Sequence, residues 1–248
     1  MKYIIVSDIH LQYQETPHNV ERRQIVERFL YSLKGKIDGL VLAGDIFDFW
    51  MEWKSVFIKN YFPLLKVFSI LKENGCRLIF ITGNHDFWIG SFFHEHLDFE
   101  VYRDVFMETI NEKKVFISHG NLYTKNDTWY HLMRTILHWK STRSVVKLLH
   151  PDLCLKMISL FSRSSGQRTI PPSLQQAKEK GLREKAYSLA TEFELIIMGH
   201  THHPQKIEFG RSVYVNCGDW ITHHSYCYFD EEQISLRSLH SPIPKEGQ

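Results

Sequence analysis

Short apolar runs recur along the chain at residues 3–6, 40–42, 78–81, 115–117, 195–198 and 213–215, most of them rich in Ile, Val and Leu. Runs that are apolar at successive rather than alternate positions mark strands buried on both faces. Between the first two runs Val20, Ile25, Val26, Phe29, Leu30 and Leu33 return at helical spacing, and between the next two Phe57, Tyr61, Leu64, Leu65, Phe68 and Leu71 do the same. This strand–helix–strand alternation predicts an α/β layered domain on a central sheet, without internal repeats. Residues 131–178 break the pattern. There Trp139, Val145, Val146, Leu148, Leu149, Leu153, Leu155, Ile158, Leu160 and Phe161 recur at helical spacing between two strands, which predicts a helical insertion ending near a loop at 162–172.

Composition adds to this in three ways. A chain of 248 residues that is 43% hydrophobic can bury a sizeable core, and one domain over 1–248 is expected. The net charge of +2 excludes a polyanion binder defined by bulk charge, but the average is misleading. Residues 131–178 hold eight Lys or Arg and one acid, a net +7, so the remainder carries −5. Finally, 15 His accompany only 4 Cys, a balance that favours cations bound by nitrogen and oxygen over thiolate clusters. Cys76, Cys154, Cys217 and Cys227 form no Cys-x-x-Cys pair, so reduced thiols are expected. A strand begins almost at once and no run of about 18 apolar residues follows, so a cytoplasmic protein that does not span the membrane is expected.

The chemistry lies where the runs end. The first is followed by Asp8-Ile9-His10, the second by Gly44-Asp45-Ile46-Phe47-Asp48, the third by Gly83-Asn84-His85-Asp86, the fourth by His119-Gly120 and the fifth by Gly199-His200-Thr201-His202. Loops at the carboxyl ends of strands in an open α/β sheet share one crevice, so clusters spread over almost 200 positions can converge. Residues two apart on an extended segment point the same way, which lets Asp8 and His10 reach one ion, and likewise His200 and His202. Asp8, His10, Asp45, Asn84, His119, His200 and His202 amount to seven oxygen and nitrogen donors. That is too many for one tetrahedral site and suited to two adjacent ions sharing a carboxylate. With no soft sulfur ligand on offer, manganese, iron or zinc is favoured over copper(I) or an iron–sulfur cluster, and two divalent ions, Mn2+ as first choice, are expected.

In this order the motifs resemble the calcineurin-like metallophosphoesterases, from Lys2 to about Tyr228 apart from the basic insertion. The resemblance implies a layered β-sandwich core flanked by helices. It also implies one ion on Asp8, His10, Asp45 and His202, a second on Asp45, Asn84, His119 and His200, and His85 as the acid at the leaving oxygen with Asp86 orienting it. The stretches Gly44 to Trp50, Gly83 to Trp88, Met198 to Pro204 and Gly218-Asp219-Trp220 are similar, more narrowly, to UDP-2,3-diacylglucosamine pyrophosphohydrolases, which carry a helical lid after the fourth-strand His. Those enzymes cleave a lipid nucleotide of lipid A biosynthesis to 2,3-diacylglucosamine 1-phosphate (lipid X) and UMP. By position Trp50, Asn84, Asp127, Tyr130, Arg163 and His200 match residues lining that family's substrate site. The chain departs from the best-known branch in carrying His85 in place of Arg and Asp48 in place of Glu.

The basic, apolar segment, taken as a lid insertion over 125–180, suits such a substrate. Lys and Arg can meet a diphosphate, and Leu, Ile, Phe and Met can take acyl chains. Basic and apolar faces together also suit peripheral contact with an anionic leaflet, the inner face of the cytoplasmic membrane. A solvated helical pair is the plainer alternative. The rival functions are another phosphodiesterase or phosphatase of the superfamily acting on a nucleotide or phosphoprotein, and a metal-free scaffold. Nucleic acid is not an expected partner, because no groove of interleaved basic and aromatic residues extends beyond the insertion.

Overall fold

The computed structural model describes residues 1–125, 135, 140–166 and 171–239. Among these, eleven strands form two sheets. The first runs β11-β10-β1-β2-β3-β4, formed by β1 (Tyr3–Val6), β2 (Gly39–Ala43), β3 (Arg77–Ile81), β4 (Glu100–Tyr102), β10 (Ser225–Phe229) and β11 (Ile234–Ser238). The second runs β5-β6-β7-β9-β8, formed by β5 (Val105–Ile110), β6 (Lys113–Ser118), β7 (Leu195–Met198), β8 (Gln205–Phe209) and β9 (Ser212–Asn216). Strands β1 to β4 are mutually parallel, and so are β6, β7 and β9.

The apolar runs alone predict one central sheet; the structure stacks two, as the layered β-sandwich implied by the family resemblance does. The reason is visible in the packing. Alternate residues Tyr3, Ile5, Val41, Ala43, Ile79 and Ile81 of the first sheet meet Phe106, Val115, Ile117, Leu195, Ile197 and Val215 of the second in a common core. Their neighbours Ile4, Leu40, Leu42, Leu78 and Phe80 pack outward against helices α1 (Pro17–Ser32), α2 (Phe62–Glu73) and α3 (Phe92–Leu97). On the far side Phe116, Ile196, Met198 and Tyr214 pack against Leu182 and Ala186. Every inner strand is therefore covered on both faces, and a run that is apolar throughout cannot say which of two sheets it belongs to.

Helix α1 starts on Thr16, whose hydroxyl accepts the Asn19 N–H at 3.3 Å, with Pro17 in the first helical position. The inserted segment is helical, as α4 (Lys140–Leu148) and α5 (Pro151–Gly166). Helix α5 continues to Gly166, so part of the loop expected at 162–172 is helix. A sixth helix, α6 (Pro172–Leu189), has only Gly181, Leu182 and Ala186 buried, too sparse an apolar stripe to be recognised from the sequence. Cys154, Val146, Leu149, Leu155 and Ile158 pack on the core beneath, and the Tyr13 hydroxyl donates to the Leu155 carbonyl at 2.5 Å. Val145, Leu148, Leu153 and Met157 face outward, Leu148 being 86% exposed.

These two environments respond differently to truncation. Phe80 is fully buried against the rings of Phe93 and Phe99, so Phe80→Ala should cost about 3–5 kcal/mol of stability in urea unfolding. Leu148→Ser should change it by less than about 0.5 kcal/mol.

Candidate metal centre

Parallel order brings the carboxyl ends of β1, β2 and β3 to the same edge as those of β6, β7 and β9. The loops leaving them are laced by main-chain hydrogen bonds. Asp8 N–H donates to Gly44 O, His10 N–H to Asp45 O, Gly199 N–H to His119 O, and Trp220 N–H to Asp8 O, at 2.9–3.1 Å. Nine non-glycine residues with positive φ occur among the described residues, and five of them are Asp8, His10, Asp45, His200 and His202, with φ from 48° to 70°. Each left-handed residue costs on the order of 1 kcal/mol, so the turn shape is held against a local preference. Glycine serves close approach here. A Cβ on Gly83 would sit 2.2 Å from Asp45 Oδ1, and one on Gly44, at φ +88°, 2.6 Å from His119 Nδ1.

The side chains so gathered form two adjoining groups, and a third, His10, Asp48 and His85, shares His10 with the first. Asp8, His10 and His202 offer donor atoms within 4.8 Å of one another, and so do Asp45, His119 and His200. Asp45 Oδ2 lies between them, 3.6 Å from His10 Nε2 and 3.3 Å from His119 Nε2. Asn84 Oδ1 is 3.1 Å from His119 Nε2. Neighbours fix the rings. His119 Nδ1 lies 3.0 Å from the Ala43 carbonyl, and His202 Nδ1 lies 3.3 Å from Asp219 Oδ2, which leaves both Nε2 atoms facing the cluster. Arg22 of α1 donates from one guanidinium nitrogen to the Ile9 carbonyl at 2.7 Å and the His10 carbonyl at 3.4 Å, bracing the first turn from behind.

Burial opposes ionisation of Asp8 and Asp45, yet the facing imidazoles, His119 foremost, hold both carboxyls below their ordinary range. Burial likewise disfavours a charged His10, but Asp48, Asp8 and Asp45 push it up to about 10. In the same way Asp45 and Asp8 overcome burial at His119 and bring it to about 9. His200, buried and beside His119, falls to about 3. Protons on His10 and His119 thus occupy the place of positive charge in a carboxylate-rich pocket. The donor set also fits a metal. Asp8 Oδ1 and His10 Nε2 are buried without hydrogen-bond partners among the described residues. They lie 3.8 Å apart, too far to bond to each other and close enough to share an ion whose bonds are about 2.0–2.2 Å long.

Other residues singled out from the sequence fall elsewhere. Trp50 is fully buried among Phe47, Tyr61 and Phe93, with its indole N–H donated to Glu52 at 3.0 Å. It presents no surface to a ligand and supports the wall instead of lining it. Asp86 does not orient His85. Its two oxygens accept the Gly83 and Ile46 N–H groups at 2.7 and 2.8 Å, tying two site loops together. Burial and the nearby Asp45 raise its carboxyl to about 6. The residue facing His85 is Asp48, whose Oδ1 is 3.4 Å from His85 Nδ1 and 3.7 Å from His10 Nδ1. Asp48 was legible as the last residue of the Gly-Asp-x-x-Asp motif, and Asp219 as the only acid of the turn after β9, but neither carried ligand spacing. Asp127 and Tyr130 lie outside the described residues. Arg163 belongs to α5, with its side chain outside the described set.

The model of the calcineurin-like phosphoesterases matches residues 1–204. The chain belongs to this family. As a calcineurin-like phosphoesterase it is a metal-dependent hydrolase, and the imidazole–carboxylate cluster is where divalent ions fit. Among curated relatives of this phosphoesterase are UDP-2,3-diacylglucosamine hydrolases from Porphyromonas gingivalis (25% identical, covering 96% of this chain and 97% of the relative) and Tolumonas auensis (26%, covering 96% and 97%). Another is that of Haemophilus influenzae, 27% identical over 87% of this chain and 89% of the relative. A solved archaeal phosphodiesterase shares the fold at a TM-score of 0.51 and 14% identity, covering 96% of this chain and all of that one.

Because His10 and His119 hold extra protons at neutral pH, a divalent ion must displace them to gain the nitrogen lone pairs. Raising the pH toward about 9–10 progressively removes the competitor, so apparent Mn2+ affinity should rise with pH across 6–9. Titration calorimetry in buffers of different ionisation enthalpy at pH 7 should register net proton release; equal heats in all buffers would contradict it.

Proposed function

We propose that the chain splits the diphosphate of UDP-2,3-diacylglucosamine, releasing 2,3-diacylglucosamine 1-phosphate and UMP, at the cytoplasmic face of the membrane. The observation that carries the substrate assignment is an outward apolar face, Val145, Leu148, Leu153 and Met157, on helices tied to the metal cluster through Tyr13, three residues beyond His10. A soluble nucleotide has no use for such a surface, whereas acyl chains do. The names and near full-length coverage of the curated relatives support the same reading. Residues 125–180 are then the lid. Lys147 and Lys156 on its helices suit an anionic leaflet, and among the described residues no helix is long and apolar enough to cross a membrane.

Asp8, His10, Asp45 and His202 would hold one divalent ion and Asp45, Asn84, His119 and His200 a second, Mn2+ by preference, and when bound these would supply positive charge for the phosphate oxygens and acidify water. His85 stands at the mouth of the cluster, its side chain 39% exposed and its main-chain N–H donated to Asp45 Oδ1 at 2.8 Å. Burial disfavours its cationic form, but Asp45 and Asp48 raise its pKa and so favour a positive charge toward the leaving oxygen. That oxygen departs as a phosphate monoester, whose second ionisation lies near ~6, so at pH 7 charge at His85 counts for more than complete proton transfer. An Arg at this position in the related branch is consistent with that role.

Protein loaded with Mn2+ and given UDP-2,3-diacylglucosamine, UDP-N-acetylglucosamine and bis-p-nitrophenyl phosphate in parallel should release UMP from the acylated substrate in preference to both others. Cleavage of the generic diester alone would favour another phosphodiesterase. His85→Ala should lower turnover by about 10²–10⁴-fold while sparing bound metal, and His85→Arg should recover part of the loss. Loss of metal from His85→Ala, measured by elemental analysis, would show a ligand instead of a leaving-group residue.

A further inference from the structure

The turn after β9 sends Asp219 toward the cluster from the side opposite Asp8. Its side chain is 6% exposed and fully committed. Oδ1 accepts the main-chain N–H groups of Thr222 and His223, both at 2.9 Å, and faces His223 Nδ1 at 3.2 Å. Oδ2 is left for His202 Nδ1, at 3.3 Å. The other ring nitrogen, Nε2, lies 3.5 Å from Asp8 Oδ1. The ring is thus suspended between two carboxylates, and the Trp220 N–H bond to the Asp8 carbonyl at 3.1 Å ties the two acids' loops together.

An imidazole that binds a cation through one nitrogen must keep its single proton on the other. Either of two acids could claim that proton, and they have opposite consequences. A proton on Nε2, held by Asp8, closes the ring to a cation; a proton on Nδ1, held by Asp219, opens it. We propose that Asp219 is the positioning residue that fixes His202 as the Nδ1–H tautomer and so commits Nε2 to the ion shared with Asp8 and His10. This rests on the metal-dependent reading of the site. Asp219 does not touch substrate, and its reach is limited to one of the two groups of donors, since His119 takes its orientation from the Ala43 carbonyl.

The substitution that separates this role from loop bracing is Asp219→Asn compared with Asp219→Ala. In Asp219→Asn the amide oxygen remains with Thr222 and His223, and the NH2 group turns to His202 Nδ1. A donor there demands a lone pair on Nδ1 and drives the proton to Nε2. Asn should therefore lower the affinity for one equivalent of Mn2+ by about 10–100-fold, leave the other equivalent unchanged, and be more damaging than Ala while unfolding at a higher temperature than Ala. If bracing were the whole role, Ala would be the worse variant for metal as well, and that ranking would overturn the proposal. Should Asp219→Ala fail to fold, 15N-resolved spectra of the Zn2+-loaded wild-type protein decide the matter, with a His202 ring protonated on Nε2 overturning it. Wild-type protein that takes up no divalent ion would sink the metal centre itself. Two ions bound equally tightly by wild type and Asp219→Asn would sink only the role of Asp219.

Discussion

The fold is organised around buried negative charge. Asp8 and Asp45 stand at the ends of adjacent parallel strands with at most 1% of their surface exposed. Ionised carboxylates in such a place are costly unless paired. No lysine or arginine is their ion-pair partner among the described residues; imidazoles surround them instead. A fixed ammonium would close the pocket permanently. Imidazoles neutralise it conditionally, by holding protons that a divalent ion can replace. The positive-φ turns, the glycines at 44 and 83 and the lacing of six loops all serve to place these rings around those two acids.

The strand core of this arrangement was legible because its signal is local. All six apolar runs are strands, and each chemically marked loop follows the strand expected. What pattern could not convey is which strands pair, since Ile5 and Ile117, on different sheets, look identical as sequence. Strands β8 and β11, with half-exposed side chains, lack a continuous apolar run, and the sparse buried stripe of α6 hides in a run of Lys, Glu and Gln.

Among the site residues, spacing brought Asp8 and His10 together but not His200 and His202, which fall in different donor groups, and it was a poor guide to what supports them. Asp86 sits next to His85 in the chain but spends both oxygens on main-chain N–H groups of two loops, whereas Asp48, 37 residues away, faces the imidazole. Adjacent residues in a tight turn project in different directions, so sequence neighbourhood misleads there. Trp50 shows the converse: an aromatic beside a catalytic motif is often the packing on which that motif rests. The helical insertion joins these themes. Its inner face completes the core next to the first site loop, and among the described residues its outer face, with Val145, Leu148, Leu153 and Met157, is exposed.

Donors for the cluster come from both sheets, and some are far apart in the chain: the His200 N–H to Asp8 carboxylate bond at 2.8 Å spans 192 positions. Such distant partners must pay loop-closure entropy before any contact rewards it. Four of the seven donors, Asp8, His10, Asp45 and Asn84, lie on loops of the first sheet, and His119, His200 and His202 join them only once the second sheet has docked. The complete donor set is therefore a property of nearly the whole folded chain, and no contiguous part of the sequence could form it alone.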